Sequence, residues 1–275
     1  MRYARVRGPH GVEVGAVQDG SVVSGGGRRI ELLDPETLAV ASPYELLLPV
    51  EPPEVWCAGV TYERSRDARV EESAVKDAYA LVYEADRPEL FLKDAGLRRT
   101  VGPGQPIAIR SDSRWNVPEP EIGVVITEEG GIGGLTIGND VSSRDIEGAN
   151  PLYLPQAKVY AGACSIGPAV YVPDDVDAPL TIHMRITDEF GRILFEGETS
   201  TARMRRSYAE LVRWLLIDNP VPAGSVLLTG TGLVPPDDFT LLPGHVVEIR
   251  VPGIGTLVNP VVRAAELIER STPDD

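Results

Sequence analysis

Glycine and proline interrupt this chain almost throughout: 28 Gly and 24 Pro are spread over its 275 residues, so that most apolar runs are short. An isolated helix needs about 12–15 uninterrupted residues to persist in water. A chain broken this often therefore reads as short strands joined by turns, and a helical bundle is excluded. Residues 90–92, 122–126, 135–137, 180–186, 226–228 and 246–251 are β-prone runs of this kind. With 43% hydrophobic residues the chain can bury a large core, which excludes disorder.

Two stretches depart from the pattern. Residues 63–83 lack Gly and Pro, and Ala74, Ala78, Leu81 and Val82 recur at helical spacing, which predicts one amphipathic helix. Ser207 followed by Glu210 forms a capping box ahead of the stripe Leu211, Trp214, Leu215, predicting a second helix that stops before Pro220.

Residues 1–52 read as a small unit with strands at 3–7, 12–17 and 21–24, a Gly25-Gly26-Gly27 turn, and a short helix after Asp34-Pro35. The run Val50-Glu51-Pro52-Pro53-Glu54 is a stiff connector, and residues 55–58 open a larger domain. The expected architecture is α+β and mostly β: a small N-terminal α+β domain over 1–52, then a mixed, rolled or barrel-like sheet over 53–275 with a frayed tail.

Net charge is −15, from 26 Lys and Arg against 41 Asp and Glu, with no basic patch. Such a surface repels phosphate backbones and anionic headgroups, so neither nucleic acid nor membrane is an expected partner. No apolar run approaches the roughly 18 residues of a membrane span, and a cytoplasmic location is expected. Cys57 and Cys164 lie far apart in apolar stretches and read as buried reduced thiols. His10, His183 and His245 form no ligand-spaced pair, which disfavours zinc.

Chemistry is suggested first by Pro118-Glu119-Pro120-Glu121. On a strand, the period of two sends both carboxylates to one face, where they repel unless solvated or bridged by a cation. Hard oxygen donors suit Mg²⁺, Mn²⁺ or Ca²⁺. Asp140, in Gly138-Asn139-Asp140, stands where a third ligand could come from, although Asn-Asp is also a common turn. Thr229-Gly230-Thr231-Gly232, after an apolar strand, offers hydroxyls and N–H groups that could cradle a carboxylate or merely form a turn. Cys164-Ser165-Ile166-Gly167 lacks the first glycine and the following helix of a nucleophile elbow, so Ser165 reads as structural.

In order, Glu119-Pro120-Glu121-Ile122-Gly123, Asn139-Asp140-Val141-Ser142-Ser143-Arg144-Asp145, Lys158, Ser165-Ile166-Gly167-Pro168 and Leu228-Thr229-Gly230-Thr231-Gly232 resemble the fumarylacetoacetate hydrolase family over about residues 55–265. That resemblance implies a mixed β-roll, a divalent metal held by Glu119, Glu121 and Asp140, Lys158 beside the metal, and carboxylate contacts from Thr231 and Gly230. It also implies a homodimer or a dimer of dimers, and a small 2-oxo acid as substrate. At residue 245 the family usually has Asp, where this chain has His.

A departure narrows the expected reaction. Hydrolytic members carry a His, and a Glu three residues later, that activate water; here those positions are Ser65 and Ala68. Gly59-Val60-Thr61-Tyr62-Glu63-Arg64-Ser65 and Arg87-Pro88-Glu89-Leu90-Phe91-Leu92-Lys93 resemble instead the branch that dehydrates 2-keto-3-deoxy sugar acids such as 2-keto-3-deoxy-D-arabinonate or -xylonate. The expected reaction is metal-dependent loss of water to give 2-oxoglutarate semialdehyde in pentose catabolism. Lys158 is the first candidate for proton transfer and Glu89 the second, with Lys93 and Arg144 as candidate substrate-binding or charge-neutralising groups. The alternatives are cleavage of an acylpyruvate-type carbon–carbon bond, decarboxylation of a 2-oxo acid, and sugar-acid binding without turnover.

Overall fold

The computed structural model describes residues 1–63 and 81–271. The N-terminal segment is a meander of β1 (Arg2–Gly8), β2 (Gly11–Gln18), β3 (Ser21–Ser24) and β4 (Arg29–Asp34). Its buried side chains Ala4, Val6, Val22, Ile30 and Leu38 form a cluster of their own with Ala169. The short helix expected after Asp34-Pro35 is instead a turn. The Asp34 carboxylate accepts the Glu36 N–H and the Thr37 hydroxyl, which closes the chain locally before a helix can propagate. Leu38 then adopts a left-handed conformation, φ 56°, and residues 39–40 pair back onto β4.

Next come β5 (Glu54–Gly59), β6 (Glu89–Ala95), β7 (Pro120–Ile126), β8 (Ile132–Asp140), β9 (Cys164–Tyr171), β10 (Thr181–Thr187), β11 (Ile193–Ser200), β12 (Val226–Leu228), β13 (Val246–Val251) and β14 (Gly255–Arg263). The large mixed sheet runs β4-β3-β2-β1-β9-β8-β7-β12-β5-β6, and a second sheet runs from residues 107–109 through β14-β13-β10-β11. The N-terminal meander joins the large sheet where Arg2 and Tyr3 pair with Tyr171 and Val170.

The main core lies between the sheets. Ile182, Met184 and Ile186 of β10 alternate with outward-facing residues, as a half-buried strand requires, and pack with Ile122, Val124, Ile249 and Leu257. The helices are α1 (Arg144–Ala149), α2 (Leu154–Lys158), α3 (Tyr208–Leu216) and α4 (Ala264–Ser271). In α3 the Ser207 hydroxyl accepts the Glu210 N–H, and Leu211 and Leu215 are buried, as the capping box and stripe predict. The helix expected over 63–83 lies, apart from residue 63 and residues 81–83, outside the described residues, as does the tail from 272.

The other face of the large sheet is buried as well. Cys57 on β5 and Cys164 on β9 share one apolar cluster with Val226 and Leu228, although three strands separate β5 from β9. The sheet therefore curls, and whatever points inward from β7 and β8 is enclosed. Gly123 and Gly138 permit the tight packing, since a Cβ at 138 would lie 2.3 Å from a Leu228 methyl carbon.

Candidate active site

Strand parity brings the acidic residues together. Glu121 is paired with Gly138 across β7 and β8, so Glu119 and Glu121 on one strand and Asp140 on the other share the enclosed face. Carboxylate oxygens of these three buried residues lie within 4.8 Å of one another. Asn139 continues β8, and its side-chain oxygen accepts the Glu119 N–H at 3.1 Å. The Asp140 N–H donates to the Glu119 carbonyl at 3.0 Å. β7 has neighbours on both sides and is no solvated edge. The Gly230 N–H donates to Glu121 Oε2 at 2.7 Å. Gly230 is held at φ 91°, where a Cβ would sit 2.0 Å from Thr61 Oγ1, so only glycine fits.

Three buried carboxylates cannot stay ionised without countercharge. Lys158 Nζ lies 2.9 Å from Glu119 Oε2 and 3.0 Å from Asp140 Oδ2, and also donates to Ser142 Oγ. Lys93, fully buried, pairs with Asp140 Oδ1 and donates to the Val141 carbonyl. Arg144 Nη2 reaches Glu119 Oε1 at 2.8 Å. Even so, burial, then the proximity of Asp140 and Glu119, pushes the Glu121 carboxyl well above the usual carboxylate range. A dication would relieve this repulsion, and oxygen-only donors of this charge fit a hard divalent ion.

Beside the triad a narrow cleft of about 20 Å³ opens between Gly59, Val60, Glu89, Phe91, Glu147, Lys158 and Thr231. Lys158 enters it 5.9 Å above the Phe91 ring. The Glu89 side chain lies flat across Gly59, where a Cβ would be 2.0 Å from its Oε2. Thr231 lines the cleft, and its hydroxyl donates to the Leu233 carbonyl at 3.0 Å. Lys93 and Arg144 are placed behind the triad, holding Asp140 and Glu119. Asp94 is satisfied elsewhere, by Arg99 and Thr100, and Asp145 by Ser113 and Arg114.

The described site thus joins Glu119, Glu121, Asp140 and Lys158 directly, with Glu89, Thr231 and Gly230 at its rim. Glu147 and Phe91 were not expected. Glu147 lies one turn beyond Arg144 on α1, the only sequence signal that could have pointed to it.

The family profile described as fumarylacetoacetate (FAA) hydrolase C-terminal matches residues 54–262. A probable 2-keto-3-deoxyxylonate dehydratase of Haloferax volcanii is 53% identical over 78% of this chain and 74% of its own. A 2-dehydro-3-deoxy-D-arabinonate dehydratase of Saccharolobus solfataricus is 46% identical over 80% and 75%. A solved 2-keto-3-deoxy-D-arabinonate dehydratase, complexed with magnesium and 2,5-dioxopentanoate, superposes with a TM-score of 0.84 at 38% identity, covering 96% of this chain and 99% of that one. With a matching profile over three quarters of its length and the three carboxylates gathered on one enclosed face, the chain belongs to the fumarylacetoacetate hydrolase family.

Proposed function

We propose that this protein is a metal-dependent dehydratase of a 2-keto-3-deoxy sugar acid, converting 2-keto-3-deoxy-D-arabinonate or -xylonate to 2-oxoglutarate semialdehyde and water in pentose catabolism. The observation that carries the reading is Lys158, buried and hydrogen-bonded to Glu119 and Asp140, with its ammonium group at the cleft beside the acidic triad. Glu119, Glu121 and Asp140 would hold Mg²⁺, with Mn²⁺ or Ca²⁺ as substitutes. Bound there, the metal acts as a Lewis acid toward the 2-oxo acid end and acidifies its C3–H.

The chain's own groups do the rest. Lys158 and Glu89 are the proton-transfer pair: one takes the C3 proton, and the hydroxyl at C4 leaves as water after gaining a proton. A proton lost from C5 and ketonisation then give the 5-aldehyde. Thr231 and the 229–232 turn orient the carboxylate, while Lys93, Arg144 and the Gly230 N–H hold the metal ligands in place. The same reading includes a cytoplasmic enzyme working as a homodimer or dimer of dimers, with a domain boundary near residue 52. Among the described residues, no helix is long and apolar enough to cross a membrane.

The test is to strip the protein with EDTA, restore Mg²⁺, add racemic 2-keto-3-deoxypentonate and follow the product by mass spectrometry. Metal-dependent loss of one water is expected. Release of CO₂, or of two acids from an acylpyruvate, would assign a decarboxylase or a hydrolase instead, and tight binding with no product would assign a sugar-acid binding protein.

A further inference from the structure

Arg205 and Arg206 take no part in the chemistry above, yet they tie down both flanks of the cleft. The Arg205 N–H donates to the Thr61 carbonyl at 3.0 Å, directly after the cleft residue Val60, and Met204 forms a β-bridge with Tyr62. The Arg205 side chain meets Glu84 Oε2 at 2.5 Å and the Glu84 carbonyl at 3.3 Å. Arg206 is only 6% exposed. Its Nη1 donates to the Asp86 carbonyl at 3.0 Å and its Nη2 to the Ala85 carbonyl. The same Nη1 lies 2.5 Å from Glu210 Oε1, in the first turn of α3, and Tyr208, Leu211 and Leu215 lock that helix into the core.

The carbonyls three and four residues ahead of Glu89 are thereby fixed to a core-anchored helix through one planar guanidinium. Its fork donates to two adjacent carbonyls and a carboxylate at once, which the point charge of a lysine reproduces poorly. Downstream, the slot over Gly59 leaves the Glu89 side chain no freedom toward the backbone. The geometry points to Arg206 as a positioning residue: it fixes the turn at 84–88 so that β6 begins where the Glu89 carboxylate lies over the cleft. The inference rests on the reading of Glu89 as a proton-transfer group.

The experiment is a double-mutant cycle on the metal-loaded enzyme, with kcat, KM and thermal midpoints for Arg206→Ala, Arg206→Lys, Glu89→Gln and the Arg206→Ala/Glu89→Gln pair. Because misplacing a reacting group by about 1 Å can cost about 10²-fold, Arg206→Ala should lower kcat by about 10–100-fold and leave KM within about twofold. Arg206→Lys should recover part of the loss, and Arg206→Ala should have no further effect once Glu89 is Gln. An equal loss with and without the Glu89 carboxylate would overturn the positioning role, as would an unchanged kcat in Arg206→Ala. Full activity in Glu89→Gln would overturn the assignment of Glu89 itself, a separate failure visible in a single variant. If Arg206→Ala does not fold, the cycle is run with Arg206→Gln, whose amide still donates.

Discussion

At the scale of single residues, the three acidic groups and Lys158 divide the work in a way that substitutions should separate. Glu119 is gripped by Arg144 on one oxygen and Lys158 on the other, so removing Arg144 loosens a metal ligand while leaving Lys158 in the cleft. Arg144→Ala should weaken Mg²⁺ affinity by about 10–100-fold, the usual effect of losing a group that orients a ligand. Lys158→Ala should instead lower kcat by about 10²–10⁴-fold, as expected for a lost proton-transfer group. A Mg²⁺ titration of activity distinguishes the two, and full turnover in Lys158→Ala would remove the central role. Strand period alone puts residues 119 and 121 on one face, whereas Asp140 as their third partner was legible only through the family resemblance. The positions of Lys93 and Glu147 were not legible, since they depend on how β6 and α1 cross the curled sheet. Burial also lifts the thiols, Cys164 to about 12 and Cys57 well above its usual value, in each case mainly by desolvation. Both should therefore resist an aromatic disulfide reagent at pH 8 until the protein unfolds, and labelling of the native protein would contradict their burial.

At the scale of elements, strands with clear alternation were readable, and segments governed by a side chain closing on its own backbone were not. β10 and the capped α3 follow from periodicity and the Ser207–Glu210 pair, whereas Asp34 turns an apparent helix start into a turn by satisfying the N–H and hydroxyl just after it. His245 is another local device, at the start of β13, where the family usually has Asp. Its Nδ1 accepts the Leu242 N–H at 3.2 Å, which requires the unprotonated ring nitrogen. Burial lowers its pKa, partly offset by Asp188. Below the ordinary histidine value of about 6.5 the unfolded chain binds the proton more readily than the folded one, so stability rises with pH through that window and falls as pH drops. Urea midpoints of wild type should decline from pH 7.5 to 5.5 more steeply than those of His245→Asn. Parallel slopes would show that His245 contributes nothing to the pH response.

At the scale of the whole molecule, the curl of the large sheet gathers ligands that the unfolded chain keeps apart. Residue 121 comes from β7 and residue 119 from just before it, residue 140 from the far end of β8, and Gly230 from beyond β12 fixes Glu121. The fold sets three buried cations, Lys93, Arg144 and Lys158, against the mutual repulsion of these carboxylates. A divalent ion therefore binds the folded state far better than the unfolded chain, and binding must appear as stability. At a free Mg²⁺ concentration about 100 times its Kd, linkage predicts about 2.7 kcal/mol. For a domain of this size that corresponds to a rise in Tm of about 5–10 °C. Differential scanning calorimetry in EDTA and then across a Mg²⁺ series should show Tm climbing with the logarithm of free metal. Glu119→Gln, which keeps the side chain's shape but removes a charged ligand, should flatten that dependence. A wild-type Tm indifferent to Mg²⁺, Mn²⁺ and Ca²⁺ alike would mean that the three buried cations alone neutralise the triad, and that this enclosed face is an ion-pair core rather than a metal centre.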